Sequence, residues 1–191
     1  MNNFYSEKHF KKSNSLTSND LPADFEDCHF VNNDFSSLNL SSCRFTDCNF
    51  EACNFSGTKM LKTALQNCNF KDCKILGLAF ESCSDFAFSP SFENCNLQHS
   101  SFYGMQYKAA RFFNCNLGSV DFSRAKLSEA NFEKSDLSGA IFLQCNLEKA
   151  NFTSALSFSI NPNENRIKGA IFDRASLAGL LDSYAIKLSS M

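Results

Sequence analysis

The chain has 191 residues and a formal net charge of −2, with 18 Lys plus Arg against 20 Asp plus Glu. That length suits a single domain, and the charge argues against a basic protein that grips nucleic acid by counterion release. Residues Met1 to Lys12 are polar, and no run is long and apolar enough to span a bilayer. No secretory signal and no membrane segment are therefore expected, which points to a cytoplasmic protein whose cysteines stay reduced.

In chain order, residues 1–20 are rich in Lys, Asn and Ser and read as an irregular N-terminal lead-in. Phe4, Tyr5 and Phe10 are available to cover the exposed end of whatever follows. From Phe25 a large apolar residue returns at every fifth position: Phe30, Phe35, Leu40, Phe45, Phe50, Phe55, Met60, Leu65, Phe70, Ile75 and Phe80. The beat resumes at Phe92 and Leu97 and runs through Phe102, Tyr107, Phe112, Leu117, Phe122, Leu127, Phe132, Leu137, Phe142 and Leu147 to Phe152. From Phe80 to Leu97 the gap is 17 residues, two more than three repeats.

A period of five fits neither a helix nor a strand. Self-similarity at a fixed period is the signature of a solenoid, in which the chain turns a corner after each unit. Four units would close a square coil of about twenty residues, with coils stacked roughly 4.8 Å apart. All 10 cysteines share one phase, two residues before the large position. That phase reads as a cramped inward slot where Cys acts as a small buried hydrophobe, not as a disulfide, metal or nucleophile pattern. Asn or Asp, immediately before the large residue, is suited to bonding the local backbone at the corner.

Stacking predicts columns twenty residues apart. Cys28, Cys48 and Cys68 should align, as should Cys53 with Cys73 and Cys95 with Cys115. Phe30, Phe50 and Phe70 should stack, and likewise Phe102, Phe122 and Phe142, and Phe112, Phe132 and Phe152. On the outside, Asp27 should lie over Asp47, Glu51 over Lys71, and Glu129 over Lys149. Roughly seven coils would give a rod on the order of 33 Å long.

Units such as Cys48-Asn49-Phe50-Glu51-Ala52, Ala130-Asn131-Phe132-Glu133-Lys134 and Ser135-Asp136-Leu137-Ser138-Gly139 resemble the consensus of the pentapeptide-repeat family. The resemblance implies an all-β solenoid, a right-handed quadrilateral β-helix, over residues 21–158. The break, Glu81 to Ser91, puts Phe86 and Phe88 out of phase and Pro90 in the small slot. It reads either as a tolerated two-residue insertion or as a protruding recognition feature.

Residues 159–191 form a separate tail. Asn161-Pro162-Asn163-Glu164-Asn165-Arg166-Ile167 is turn-rich. A helix is expected over roughly Arg174 to Ser183, with Leu177, Leu180 and Leu181 on one face, and a short strand over 185–188. Leu177, Leu180, Leu181, Tyr184, Ile186 and Leu188 are the candidates for capping the last coil or for pairing two chains. This turn-rich segment and the Leu-rich tail also look like the end of quinolone-resistance (Qnr) proteins and the microcin immunity protein McbG. That resemblance implies a cytoplasmic homodimer, joined through the C-terminal end. It would bind DNA gyrase or topoisomerase IV, by duplex-DNA mimicry or by loop contact, and protect them from quinolones or peptide toxins.

Candidate partner contacts are Asp27, Asp47, Glu51, Asp85, Phe86 and Phe88. A scaffold for some other protein is the alternative. Charge is uneven along the chain: acidic residues lead 12 to 8 through residue 95, and basic ones lead 10 to 8 beyond it. No enzyme, cofactor or metal is expected. His9, His29 and His99 are far apart, zinc-type Cys pairing is missing, and there is no phosphate-binding glycine loop.

Overall fold

The computed structural model describes residues 3–36, 38–184 and 186. Its strands are β1 (Asn3–Ser6), β2 (His9–Lys11), β3 (Ala23–Glu26), β4 (His29–Val31), β5 (Arg44–Thr46), β6 (Asn49–Glu51), β7 (Ala64–Gln66), β8 (Asn69–Lys71), β9 (Ser91–Glu93) and β10 (Arg111–Phe113). All pair in parallel, in the orders β1-β3-β5-β7 and β2-β4-β6-β8-β9-β10. The register steps by twenty residues, as in Phe30↔Phe50, except for Phe70↔Phe92. Isolated parallel bridges carry the ladder on to Ile171. The fold is a right-handed β-solenoid with small C-terminal helices.

The first side carries β1, β3, β5 and β7, and the second carries β2, β4, β6, β8, β9 and β10. The third side presents Phe35, Phe55, Ile75 and Leu97 inward, and the fourth presents Leu40, Met60, Phe80, Phe102 and Phe122. On the second side one unbroken column of rings runs Phe10, Phe30, Phe50, Phe70, Phe92, Phe112, Phe132, Phe152, Phe172, with neighbours 4.6–5.4 Å apart. The rod thus has nine levels where the repeat pattern suggested seven, and spans about 38 Å. Within a level, rings meet edge to face, as Phe25 meets Phe30 at 5.5 Å and 76°, which suits the aromatic quadrupole.

The lead-in expected over residues 1–20 is corrected: the first coil begins at β1. Tyr5 stacks on Phe25 at 5.2 Å, Phe10 on Phe30 at 4.8 Å, and His9 on His29 at 4.8 Å. Tyr5 and Phe10 keep the same beat as Phe25 and Phe30, and this in-register stacking outweighs the polar composition around them.

The small slot does more than save space. Its side chain donates to the backbone carbonyl of the large residue one level below. Cys48 reaches Phe25 O (3.6 Å), Cys53 reaches Phe30 O (3.4 Å) and Cys145 reaches Phe122 O (3.0 Å). Thr58, Thr63 and Ser135 do the same to Phe35, Leu40 and Phe112 at 2.8, 2.7 and 3.0 Å. Small polar donors and cysteine are therefore interchangeable there, because each satisfies a buried carbonyl. The expected corner bonds also form. Asn54 Oδ1 accepts from the Ser56 N–H at 3.1 Å, Asp121 Oδ1 from Ser123 at 2.8 Å, and Asn151 Oδ1 from Thr153 at 2.9 Å. The corner residue two past the large one is left-handed, as at Asp27 (φ 49°) and Asp47 (φ 55°).

The two extra residues of the break lie between Ser84 and Ser89. The Ser84 N–H still bonds Thr63 O at 2.9 Å, whereas Ser89 bonds Leu65 O at 3.0 Å and Ser91 bonds Cys68 O at 2.8 Å. Phe88 turns inward and fills the vacant core position of the first side, 5.0 Å from Tyr107 and 6.1 Å from Phe80. Pro90 is buried in the small slot. The Tyr107 hydroxyl donates to the Pro90 carbonyl. A hydroxyl thus splices the ladder where the register jumps.

In the tail the expected helix forms as two 3₁₀ segments, Arg174–Leu180 and Asp182–Tyr184. A segment this short gains little from α-helix propagation, and Gly179 is held tightly against Phe158. The expected strand over 185–188, with Leu188, lies outside the described residues except for Ile186, which is exposed.

Candidate functional site

Every side chain that could meet a partner lies on the outer surface of the rod. Asp27 and Asp47 are exposed corner residues of the first side, and Asp47 Oδ1 accepts from Asn67 Nδ2 at 3.1 Å. Glu51 is exposed on the second side, in register with Lys71, which is in turn in register with Glu93. Glu129 pairs with Lys108 at 3.4 Å, on the level below, and not with Lys149 as the stacking had suggested. Asp85 is exposed and Phe86 is 80% exposed, at the tip of the break. Phe88 is buried in the core, so it has no surface to offer a partner; its out-of-phase position in sequence reflects the register shift.

At the far end Leu180 and Leu181 are half-buried, and Leu180 packs on the core. Leu177, Tyr184 and Ile186 are exposed. The tail motif itself is built into the last level. Buried Asn165 donates to Phe142 O and Asn161 O, both at 3.0 Å, and its Oδ1 accepts the Cys145 N–H at 2.9 Å. Asn165 therefore performs the small-slot task at the end of the stack.

Two surface features were not singled out from the sequence. A shallow groove of about 610 Å³ crosses the second side past Asn49, Asn69, Ser91, Arg111 and Asn131. Its floor is a polar ladder, Asn69 Nδ2 to Asn49 Oδ1 at 3.0 Å and Ser91 Oγ to Asn69 Oδ1 at 2.6 Å. The fourth side exposes Leu61, Tyr103, Ile141 and Leu143. For Leu61, Tyr103 and Leu143 the signal was the position one past the large residue, and for Ile141 the position one before it, where the repeat otherwise places polar side chains.

Catalytic chemistry finds little footing. All ten cysteines are free, and only Cys83 is not fully buried. Burial pushes the Cys48 thiol up to about 12 and that of Cys145 to about 11; burial, then Glu81, takes Cys83 to about 12. Thiols so held are poor nucleophiles and poor metal ligands. The column Cys53, Cys73, Cys95, Cys115 is longer than the expected pairs, because the two-residue insertion brings Cys95 over Cys73. Among the described residues, no group of three or more His, Cys, Asp and Glu could hold a metal ion, and no helix is long and apolar enough to cross a membrane.

The family model for the pentapeptide repeat region matches residues 43–122, and that for pentapeptide repeats in eight copies matches residues 115–153. The chain is a pentapeptide-repeat protein. No curated protein sequence matches it. Among solved structures it is similar to a trypsin-treated form of QnrB1, a plasmid-mediated fluoroquinolone resistance protein. That likeness has 18% identity and a TM-score of 0.62, over 99% of this chain and 92% of that one. A second trypsin-treated QnrB1 form gives 19% identity and a TM-score of 0.49, over 98% of each chain. HetL, a pentapeptide repeat protein involved in heterocyst differentiation regulation in Nostoc, gives 16% and 0.29, over 88% of this chain and 82% of that one. At these identities the likeness describes the fold alone, a rod of pentapeptide repeats.

Proposed function

We propose that this rod is a non-enzymatic cytoplasmic protein that binds a type II topoisomerase, DNA gyrase or topoisomerase IV, and protects it from quinolones or peptide toxins. The observation that carries this reading is the tail. The Asn161–Ile167 motif, which resembles the Qnr and McbG ends, closes the stack through buried Asn165 and its three hydrogen bonds. A QnrB1-like course over nearly the whole chain supports it. A rod of about 38 Å is also comparable with one turn of duplex DNA, about 34 Å, and the exposed corner acids Glu7, Asp27 and Asp47 follow one edge of its N-terminal half.

The test is a gyrase supercoiling assay with a fluoroquinolone, titrated with this protein. Restored supercoiling is expected; no rescue at any excess over gyrase overturns the reading. A second reading, a scaffold for a different protein, is favoured by the mixed charge of the second side, where Glu51, Lys71 and Glu93 alternate on successive levels. It predicts no rescue, together with a stoichiometric complex with a protein other than a topoisomerase.

A further inference from the structure

The three histidines stand far apart in the chain, but the step of twenty brings two of them together. His9 on β2 pairs with His29 on β4. Both therefore occupy the position just before the large residue, on the two lowest levels of the second side, and both are exposed. Their rings stack with centroids 4.8 Å apart and planes within 9° of parallel. Stacking engages the faces of the imidazoles and leaves the nitrogens at their edges. On the next two levels the same column holds Asn49 and Asn69, which bond each other through their amides at 3.0 Å. The column thus changes from amides to imidazoles at the end of the rod.

Imidazole is a ligand that suits zinc, copper and nickel. Two metal–nitrogen bonds of about 2.0–2.1 Å span at most ~4.2 Å. Rings 4.8 Å apart need only tilt toward each other to share one ion, with water completing its shell. Exposed side chains can make that tilt without moving the paired backbone. Charge favours the same place. Glu7 and Asp27 precede His9 and His29 by two residues, on the corner beside them, and Asp47 continues that corner on the next level; all three are exposed. Lys8 and Lys11 on the first level oppose them, so carboxylates lead three to two. A local excess of one sign concentrates counter-ions of the other. The carboxylates act by attraction at a distance, since among the described residues no group of three or more His, Cys, Asp and Glu could hold a metal ion.

We propose that His9 and His29 form a two-imidazole site for a divalent transition-metal ion of the zinc and nickel class, which ties the first coil to the second. The first coil has a neighbouring coil on one side only, so an ion bridging β2 and β4 stabilises the stack at its least supported end. Isothermal titration calorimetry of the reduced, untagged full chain should show Ni²⁺ binding, and Ni²⁺ should raise the melting temperature. His9→Asn and His29→Asn install the residue that the column already carries at Asn49 and Asn69, so both variants should keep the wild-type circular dichroism spectrum. Loss of an outer-shell partner alone costs about 10–100-fold in metal affinity, so each variant should bind Ni²⁺ at least roughly tenfold more weakly. The double variant should be little weaker than either single one, because one missing ring already ends the chelation. His99→Asn should change nothing. In the wild type, Zn²⁺ should shift the ring-nitrogen resonances of His9 and His29 together. Resonances that stay in place overturn the proposal without recourse to a variant, and so does a wild type that binds no Ni²⁺. Binding that survives His29→Asn also overturns it, as does binding that Mg²⁺, which takes oxygen ligands, displaces equally well; that result would put the ion on the corner carboxylates.

Discussion

Folding should become strongly pH-dependent above about pH 8.5, because the core holds thiols that cannot ionise where they stand. Cys48 is fully buried, and burial holds its thiol at about 12; Cys145 is held at about 11. In the unfolded chain each ionises near 8.5. The folded value is the higher of the two, so the unfolded chain gives up its protons first. Each thiol's contribution is complete below about pH 8.5 and is lost as pH rises toward the folded value. The loss is about 1.4 kcal/mol per thiol per pH unit, so these two alone remove about 4 kcal/mol by pH 10. That is a large share of the roughly 5–15 kcal/mol that holds a domain together.

Urea unfolding of the reduced protein, followed by circular dichroism from about pH 7 to pH 10, measures this directly. The matched control is the double variant Cys48→Ala, Cys145→Ala. Alanine already fills the same slot at Ala125, Ala130 and Ala150, each completely buried, so the variant should fold. Its stability should fall less steeply with pH than that of the wild type. A wild-type stability that stays flat from about pH 8 to pH 10, or a slope that the double variant leaves unchanged, would refute the reasoning.

Tyr107→Phe should cost about 1–3 kcal/mol in the same unfolding assay, because it leaves the buried Pro90 carbonyl without the hydroxyl that donates to it; a change under about 0.5 kcal/mol would count against the splice. Phe122→Ala empties a completely buried position between Phe102 at 5.4 Å and Phe142 at 5.1 Å, and should cost about 3–5 kcal/mol. Gly179→Ala should release the tail, since a Cβ there would collide with the Phe158 backbone carbonyl and approach its ring to 2.8 Å. Faster proteolysis after Phe158, with the repeats left intact, is the expected sign, and unchanged proteolysis would show that the tail is not held at this point.

The five-residue beat made the coil, the inward columns and the corners legible, because each is set by geometry that repeats. Phe50 over Phe70 and Cys48 over Cys68 needed nothing beyond a step of twenty. What escaped were the places where the step changes. Phe88 looked like a protruding residue because its spacing is wrong, yet it enters the core, since the coil must fill the position above Leu65. The first coil escaped because Tyr5 and Phe10 are only two beats in a polar stretch. The sequence also showed that cysteine fits the small slot without showing why Thr58, Thr63, Ser135 and Asn165 fit it equally well. The answer lies one level down, at a carbonyl 23 residues earlier in the chain.

The outer surface was the least legible part, for a related reason. A core column shows in the sequence because apolar identity is required at every level. The surface carries no such requirement, so exposed Leu61, Tyr103 and Leu143 stand among polar neighbours at separations of 42 and 40 residues. The ladder crosses the break with a 22-residue step, Phe70 to Phe92 and Ala79 to Ser101, and resumes its register beyond it. Deleting two residues from the segment 85–87 would therefore test more than loop tolerance. With Phe88 still able to reach the core, the rod should keep its stack while Tyr103 stays on the fourth side, because the ladder restores register on either side. If Tyr103 instead shifts by one corner, the insertion itself sets the alignment of the two halves, and the break is a structural splice before it is a recognition feature.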